Sequence, residues 1–205
     1  MFKPATEVEK FDRFSHKGKL KIDEICTRAA EVFSNKGYLT ATLADVANAV
    51  GISKGGIYHY FSTKEELLFL ILLRYMDQTL QELKEKLKSM DDHRNRIRLF
   101  IHHHIAHYRD NFHQSRLILH EAHHLPDEYY NQVKQKEREY VNLLAENIRG
   151  LVTGYKDKPL KIKLVTFSLI GMCNWPYIWF NPKGSVPPEE LAEEIYKVFI
   201  GDLPI

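Results

Sequence analysis

The apolar positions recur with the period of a helix along almost the whole chain. Ile22, Ile25, Ala29, Val32 and Phe33 form one stripe, and Gly37 follows as a C-terminal stop. Leu43, Val46, Ala47 and Val50 form a shorter stripe. It opens at Thr42 with Asp45 three residues on, the order of a capping box, and Gly51 breaks it. Ser53 is a good N-cap for a third short helix holding Ile57, Tyr60 and Phe61. Ser62 and Thr63, followed by Glu65 and Glu66, give overlapping capping signals for a long fourth helix reaching about Met90. Further helices are predicted over about 93–110, 113–124, 126–153, 159–180 and 187–200. No stretch alternates for long like a half-buried strand, so an all-α chain is expected. The first fourteen or so residues, with Lys3, Lys10 and Arg13, read as a mobile basic arm.

Composition adds bounds. The 205 residues suffice for one or two small domains with real cores. A formal net charge of +2 says little about partners, but its distribution says more. Residues 1–64 carry ten Lys/Arg against seven Asp/Glu, and the remainder carries 19 against 20. Cys26 and Cys173 lie in apolar helical contexts without disulfide spacing, so buried free thiols in a reducing compartment are expected. The charged start has no apolar signal-peptide core, and the apolar run from Leu67 to Leu73 is too short to span a bilayer. A cytoplasmic protein with no membrane partner is expected.

The stretch "TLADVANAVGISKGGIYHYFSTKEEL", residues 42–67, carries the most information. Two short helices flank a tight turn at Gly51-Ile52, the layout of a helix-turn-helix whose second helix enters the DNA major groove. Val46, Ala47, Val50, Ile52, Ile57 and Phe61 would lock the pair onto the first helix. The other face of the third helix presents Lys54, Gly55, Gly56, Tyr58 and His59, groups suited to phosphates and base edges. Lys64, in the first turn of the fourth helix, is placed to grip a phosphate together with backbone N–H groups.

From about Lys21 through Leu67 the sequence closely resembles the DNA-binding domain of TetR-family transcriptional regulators. The resemblance implies an N-terminal arm and helix-turn-helix domain over 1–64, and a ligand-binding and dimerising domain of about six helices over 65–205. It places Thr42, Ser53, Lys54, Gly55, Tyr58, His59, Tyr60 and Lys64 at or near the DNA. Gly56 departs from the family, many members of which carry Thr, Ser or Ala there. The implied protein is a homodimeric repressor of a near-palindromic operator, released by a small molecule and needing no cofactor. Its two recognition helices would sit about 34–36 Å apart or a little more.

The sequence has eleven histidines, nine of them between His93 and His124. His120, Glu121 and His124 spell the H-E-x-x-H of zinc hydrolases. That chemistry needs a third ligand, an open coordination position and a substrate cleft, and Pro126 ends the helix directly after His124. A metal-responsive regulator is a second alternative, since His103 with His107 and His120 with His124 are each spaced i,i+4. The favoured reading needs no metal. His104 lies on the stripe Ile97, Ile101, His104, Tyr108 and faces a core or pocket, while the others ring the opposite face, solvated or hydrogen-bonded. A protein that binds only other proteins is a further alternative class.

Towards the C-terminus, Trp175, Tyr177, Trp179 and Phe180 are anchors of the kind used in pockets and subunit interfaces. Asn174 is a polar amide within this apolar stretch. The tail and "HEAHHLPDEYYNQVKQKEREY" look like the branch of the family that controls degradation of fatty acids and related lipids, whose members sense acyl-CoA thioesters. His104, Tyr108, Asn174 and Tyr177 are the expected polar contacts of such an effector, a long-chain acyl-CoA.

Overall fold

The computed structural model describes Phe11, residues 14–155, 157–181 and 183–201, and Leu203. Its helices are α1 (His16–Lys36), α2 (Leu43–Val50), α3 (Lys54–Tyr60), α4 (Lys64–Lys88), α5 (His93–Asp110), α6 (Phe112–His120), α7 (Asp127–Leu151), α8 (Pro159–Asn174), α9 (Pro176–Trp179) and α10 (Pro188–Gly201). Short 3-10 turns lie at Ala122–His124 and Thr153–Tyr155. Among the described residues there is no strand, and no helix is long and apolar enough to cross a membrane. Apart from Phe11 and Phe14, the expected basic arm lies outside the described residues.

Local chemistry sets the first boundaries. Thr42 Oγ1 accepts from the Asp45 N–H at 3.2 Å, while the Asp45 carboxylate takes the Thr42 N–H at 2.8 Å, closing the capping box of α2. A hydrogen bond from Lys36 and those from Thr42 hold the Asp45 carboxyl down at about 2. Gly51 ends α2 at φ 74, a left-handed conformation that strains any residue with a Cβ, and its N–H closes onto the Ala47 and Asn48 carbonyls. Ser53 Oγ caps α3 by accepting from Gly56 N–H at 3.0 Å. Thr63 Oγ1 accepts from Glu66 N–H at 3.1 Å, and Glu66 returns a carboxylate oxygen to the Ser62 N–H at 2.7 Å.

Two later helices break earlier than periodicity predicts. The expected helix over 113–124 stops at His120, and 3-10 pairing carries the chain to Leu125. Leu125 stands before Pro126, which forces it into extended backbone at φ −71, ψ 144 and spoils the last turn. The expected helix over 159–180 divides at Trp175, because Pro176 has no N–H to return to the preceding turn. Ile178 instead bonds the Trp175 carbonyl at 3.1 Å and starts the single turn of α9.

The chain forms two compact units, and the divisions fall within α4, α6 and α7. The first comprises residues 1–75 and 116–133. Its core joins Ile22, Ile25 and Phe33 of α1, Val46 and Ala47 of α2, Ile57 and Phe61, and the run Leu67–Leu73. The later segment contributes Leu117, Ala122, Leu125 and Val133 to the same core. The Phe69 and Tyr129 rings stack there at 4.4 Å. Each fully buried aromatic or aliphatic side chain is worth roughly 1.5–3 kcal/mol of transfer free energy, so this segment is an integral part of the unit.

The second unit comprises residues 76–115 and 134–205. Helix α5 is enclosed there on almost every side, burying Ile97, Phe100, Ile101, Ile105 and Tyr108. It packs against α10, which buries Ala192, Ile195 and Phe199, and Glu193 meets both Arg98 and His102. The same enclosure corrects one expectation. His103 and His107 are buried, not part of a solvated face. Both cysteines are buried free thiols, each pushed up to about 12 by burial.

Candidate functional site

Helix α3 buries Ile57 completely and turns its opposite face outward. Ser53, Lys54, Gly55, Tyr58 and His59 are exposed along that face, and Tyr58 keeps 49% of its surface. Tyr60 differs from its neighbours. It is half-buried, with its ring 5.4 Å from that of Phe14, so it supports the helix from behind. His59 sits edge-on to Phe14 at 5.8 Å, which limits its rotation while leaving it exposed. The Thr42 and Ser53 hydroxyls already serve as caps, and Thr42 Oγ1–H also donates to Asp45 at 2.7 Å. A rigid, capped short helix thus offers a cation, a phenol and an imidazole on one open face.

Lys64 has a different environment from the one expected. Its ammonium donates to the backbone carbonyls of Tyr38 at 2.7 Å, Ala41 at 3.0 Å and Leu39 at 3.3 Å, and lies 4.4 Å above the Tyr38 ring. An ammonium has three N–H groups, and here all three meet carbonyls of the loop between α1 and α2. A phosphate contact would have to displace one of them. Replacing Lys64 with Met keeps the stem and strands those carbonyls. The expected result is a loss of about 2 kcal/mol in urea unfolding, with the log–log salt slope of operator binding unchanged. A slope lower by about one, with stability intact, would return Lys64 to the phosphate contacts.

The H-E-x-x-H stretch does not form the zinc-hydrolase helix. The α-helix ends at His120, so His120 and His124 do not share one helical face. Glu121 pairs with His124 at 3.3 Å, and the His124 ring stacks on Tyr38 at 5.5 Å. This segment therefore braces the loop that Lys64 also holds.

The four residues expected to contact an effector come together in the second unit. His104 Nε2 lies 2.9 Å from Asn174 Oδ1. Tyr108 donates its hydroxyl to the Cys173 carbonyl at 2.7 Å and lies 3.4 Å from His104 Nε2. The Tyr177 ring is 6.1 Å from that of Tyr108 and 5.9 Å from that of Phe112. Burial lowers His104 to about 4, so its imidazole is neutral and can both donate and accept. Tyr140 completes the cluster with its hydroxyl 3.3 Å from His104 Nδ1. The sequence reading missed it, because its only signal was a core position on the stripe of α7.

An exposed, capped recognition helix on an all-helical frame defines a DNA-binding regulator of the helix-turn-helix class. Two family models match the chain. One, "Bacterial regulatory proteins, tetR family", covers residues 25–71, and the other, "Tetracyclin repressor-like, C-terminal domain", covers residues 90–203. The chain belongs to the TetR family of transcriptional regulators. It is similar along its length to the HTH-type transcriptional repressor KstR2 of Mycobacterium tuberculosis (strain ATCC 25618 / H37Rv), at 24% identity over 94% of this chain and 97% of that protein. It is similar in structure to a TetR-family regulator from Bordetella parapertussis 12822. The TM-score is 0.83 at 27% identity, covering 87% of this chain and 93% of that one. AibR, solved in complex with isovaleryl coenzyme A and operator DNA, superposes with a TM-score of 0.78 at 26% identity, covering 87% and 97% of the two chains.

Proposed function

We propose that this regulator is a homodimeric repressor that binds a near-palindromic operator and leaves it when an acyl-CoA thioester binds. The observation that carries the DNA reading is the open face of α3, with Lys54, Gly55, Tyr58 and His59 exposed and Ser53 at its start. In this reading Tyr58 and His59 reach base edges, Lys54 meets a phosphate, and Thr42 and Tyr60 hold the helix in place. The functional boundary lies near residue 64, with dimerisation and effector binding beyond it. The CoA-thioester class is supported by the complex of AibR and by the cluster of His104, Tyr108 and Asn174, whose polar groups bond one another, with the Tyr177 ring beside Tyr108. An effector hydroxyl, which both donates and accepts, can enter that network, and a carbonyl can take the Tyr108 or His104 hydrogen. No catalytic role is proposed, since the broken helix at His120 removes the geometry that a zinc hydrolase needs. A cytoplasmic location follows from DNA as the partner.

Dimerisation is supported by α8. One face buries Ile162, Thr166, Leu169 and Cys173 within its own unit. The other exposes Leu160, Leu164 and Phe167, a surface that water disfavours and a second copy would cover.

The test is capture and sequencing of genomic DNA fragments, followed by gel-shift with Tyr58→Ala. Tyr58 is half-exposed, so circular dichroism should be unchanged while specific affinity falls about tenfold, within the 1–3 kcal/mol range of one base contact. Absence of any specifically captured sequence would defeat the DNA reading. Full affinity in Tyr58→Ala would move the contact face elsewhere on α3.

A further inference from the structure

Helix α5 carries two histidines that neither the recognition helix nor the aromatic cluster uses. His103 and His107 lie one turn apart with ring centroids 4.7 Å from each other, and they are 4% and 6% exposed. Neither ring nitrogen of His103 has a hydrogen-bond partner, although its side chain is only 2% exposed. A buried polar side chain left in that state carries the desolvation cost of each unpaired atom. Facing it, Glu82 of α4 brings a carboxylate oxygen to 3.6 Å from His103 Nε2. One ligand atom each from Glu82, His103 and His107 lie within 4.8 Å of one another.

These are ligand-to-ligand distances, not hydrogen-bond distances. Two donor atoms at about 2.0–2.2 Å from one tetrahedral ion stand roughly 3.4 Å apart. The Glu82–His103 separation already has that value, and a small side-chain rotation closes the others. We propose that Glu82, His103 and His107 form a binding site for a divalent transition metal of zinc's class, with water completing the shell. Two imidazoles and one carboxylate favour zinc, nickel or cobalt over calcium and magnesium, which prefer all-oxygen sets. The donors come from two helices, so an ion here would clip the second half of α4 to α5.

The surroundings suit a cation. Glu82 and Asp110 bring negative charge towards His107, with Lys86 opposing them and Arg109 paired to Asp110. The Glu82 side chain keeps 41% of its surface, which gives the ion a way in from solvent. Burial of the two histidines alone would explain a packed core, but not two buried His103 nitrogens without hydrogen-bond partners, one of them 3.6 Å from a carboxylate oxygen.

The experiment uses the full chain, stripped with a chelator, and zinc or nickel alone as the probe. Uptake is measured by competition with a chromogenic chelator and by elemental analysis, with thermal melting in parallel. One equivalent per chain is expected, together with a raised melting temperature. Glu82→Gln, at a half-exposed position, should keep the fold and weaken uptake about tenfold to a hundredfold. His123→Asn, at an exposed histidine outside the cluster, should leave uptake unchanged. No uptake by the native chain would overturn the site. So would uptake indifferent to Glu82→Gln but reduced by His123→Asn, which would assign the metal to surface histidines. Neither outcome bears on operator binding, so this site and the repressor reading stand or fall separately.

Discussion

A carboxylate at Leu164 together with one at Phe167 is expected to convert the dimer into monomers and to lower operator affinity about a hundredfold to ten-thousandfold. The argument starts from α8, which is apolar on two sides. Its inner side is filled by Ile162, Leu169 and Cys173, and Thr166 returns its hydroxyl to the Ile162 carbonyl at 2.7 Å. Its outer side carries Leu160, Leu164 and Phe167 at 68%, 56% and 53% exposure, and the steps of four and three residues keep them in one row. Trp175, just before Pro176, is also exposed, at 62%, and after the break Ile178 and Trp179 expose 62% and 58%. Gly171 falls in the same row, and a Cβ there would meet nothing within 4 Å, which leaves room for another backbone to come close. A helix with two apolar sides and one internal partner needs a second copy. Two buried glutamates facing their own symmetry mates would cost several kcal/mol each. Two linked heads bind a two-half-site operator by avidity, a gain of about 10²–10⁴ that the monomer forfeits. Sedimentation of Leu164→Glu/Phe167→Glu at micromolar concentration checks the first step and gel-shift the second. A variant that remains dimeric would remove α8 from the interface.

The capped head was the most legible part of the sequence, because its boundaries rest on side chains acting within four residues. Thr42 with Asp45, Gly51, and Ser53 with Gly56 each form the bond that their spacing implies. Lys64 was legible as the start of a helix, but its carbonyl acceptors were not. Its acceptors lie 23 to 26 residues back, in a loop whose path depends on the whole head. The histidines divide in the same way. Periodicity turned His104 towards Tyr108 and set His103 and His107 on a face expected to be solvated or hydrogen-bonded, since α5 gave no sign that those positions are buried as well. Tyr140 and Glu82 were invisible for a related reason. Each matters through a partner on another helix, and a single sequence carries no signal of that pairing. The early end of α6 was partly legible in Pro126, whose effect reached further back than expected.

A long-chain acyl-CoA is expected to lower operator affinity by about 5–150-fold, and the operator is expected to lower acyl-CoA affinity by the same factor. The coupling element is α4. It runs unbroken from Lys64 to Lys88 with neither glycine nor proline in it, and its N-terminal residue holds the 38–41 loop of the DNA-binding head through three carbonyls. With no glycine or proline to hinge at, a shift of its second half is expected to reach that loop. In the second unit, Tyr108 and His104 are tied to Cys173 and Asn174 at the end of α8. An effector that takes those hydrogen bonds would separate α5 from α8. If the effector alters the spacing of two heads that an operator fixes, the two ligands compete through one equilibrium. Tyr108→Phe keeps the ring and removes the donor, so it should leave operator affinity near native while reducing the response to acyl-CoA. Gel-shift and calorimetric titrations with acyl-CoAs of graded chain length provide both halves of the cycle. If no chain length alters operator affinity, and the protein's melting temperature is also unmoved, the thioester reading fails. If zinc alone releases the operator, and Glu82→Gln abolishes that release, the switch belongs to α4 and the buried histidines of α5.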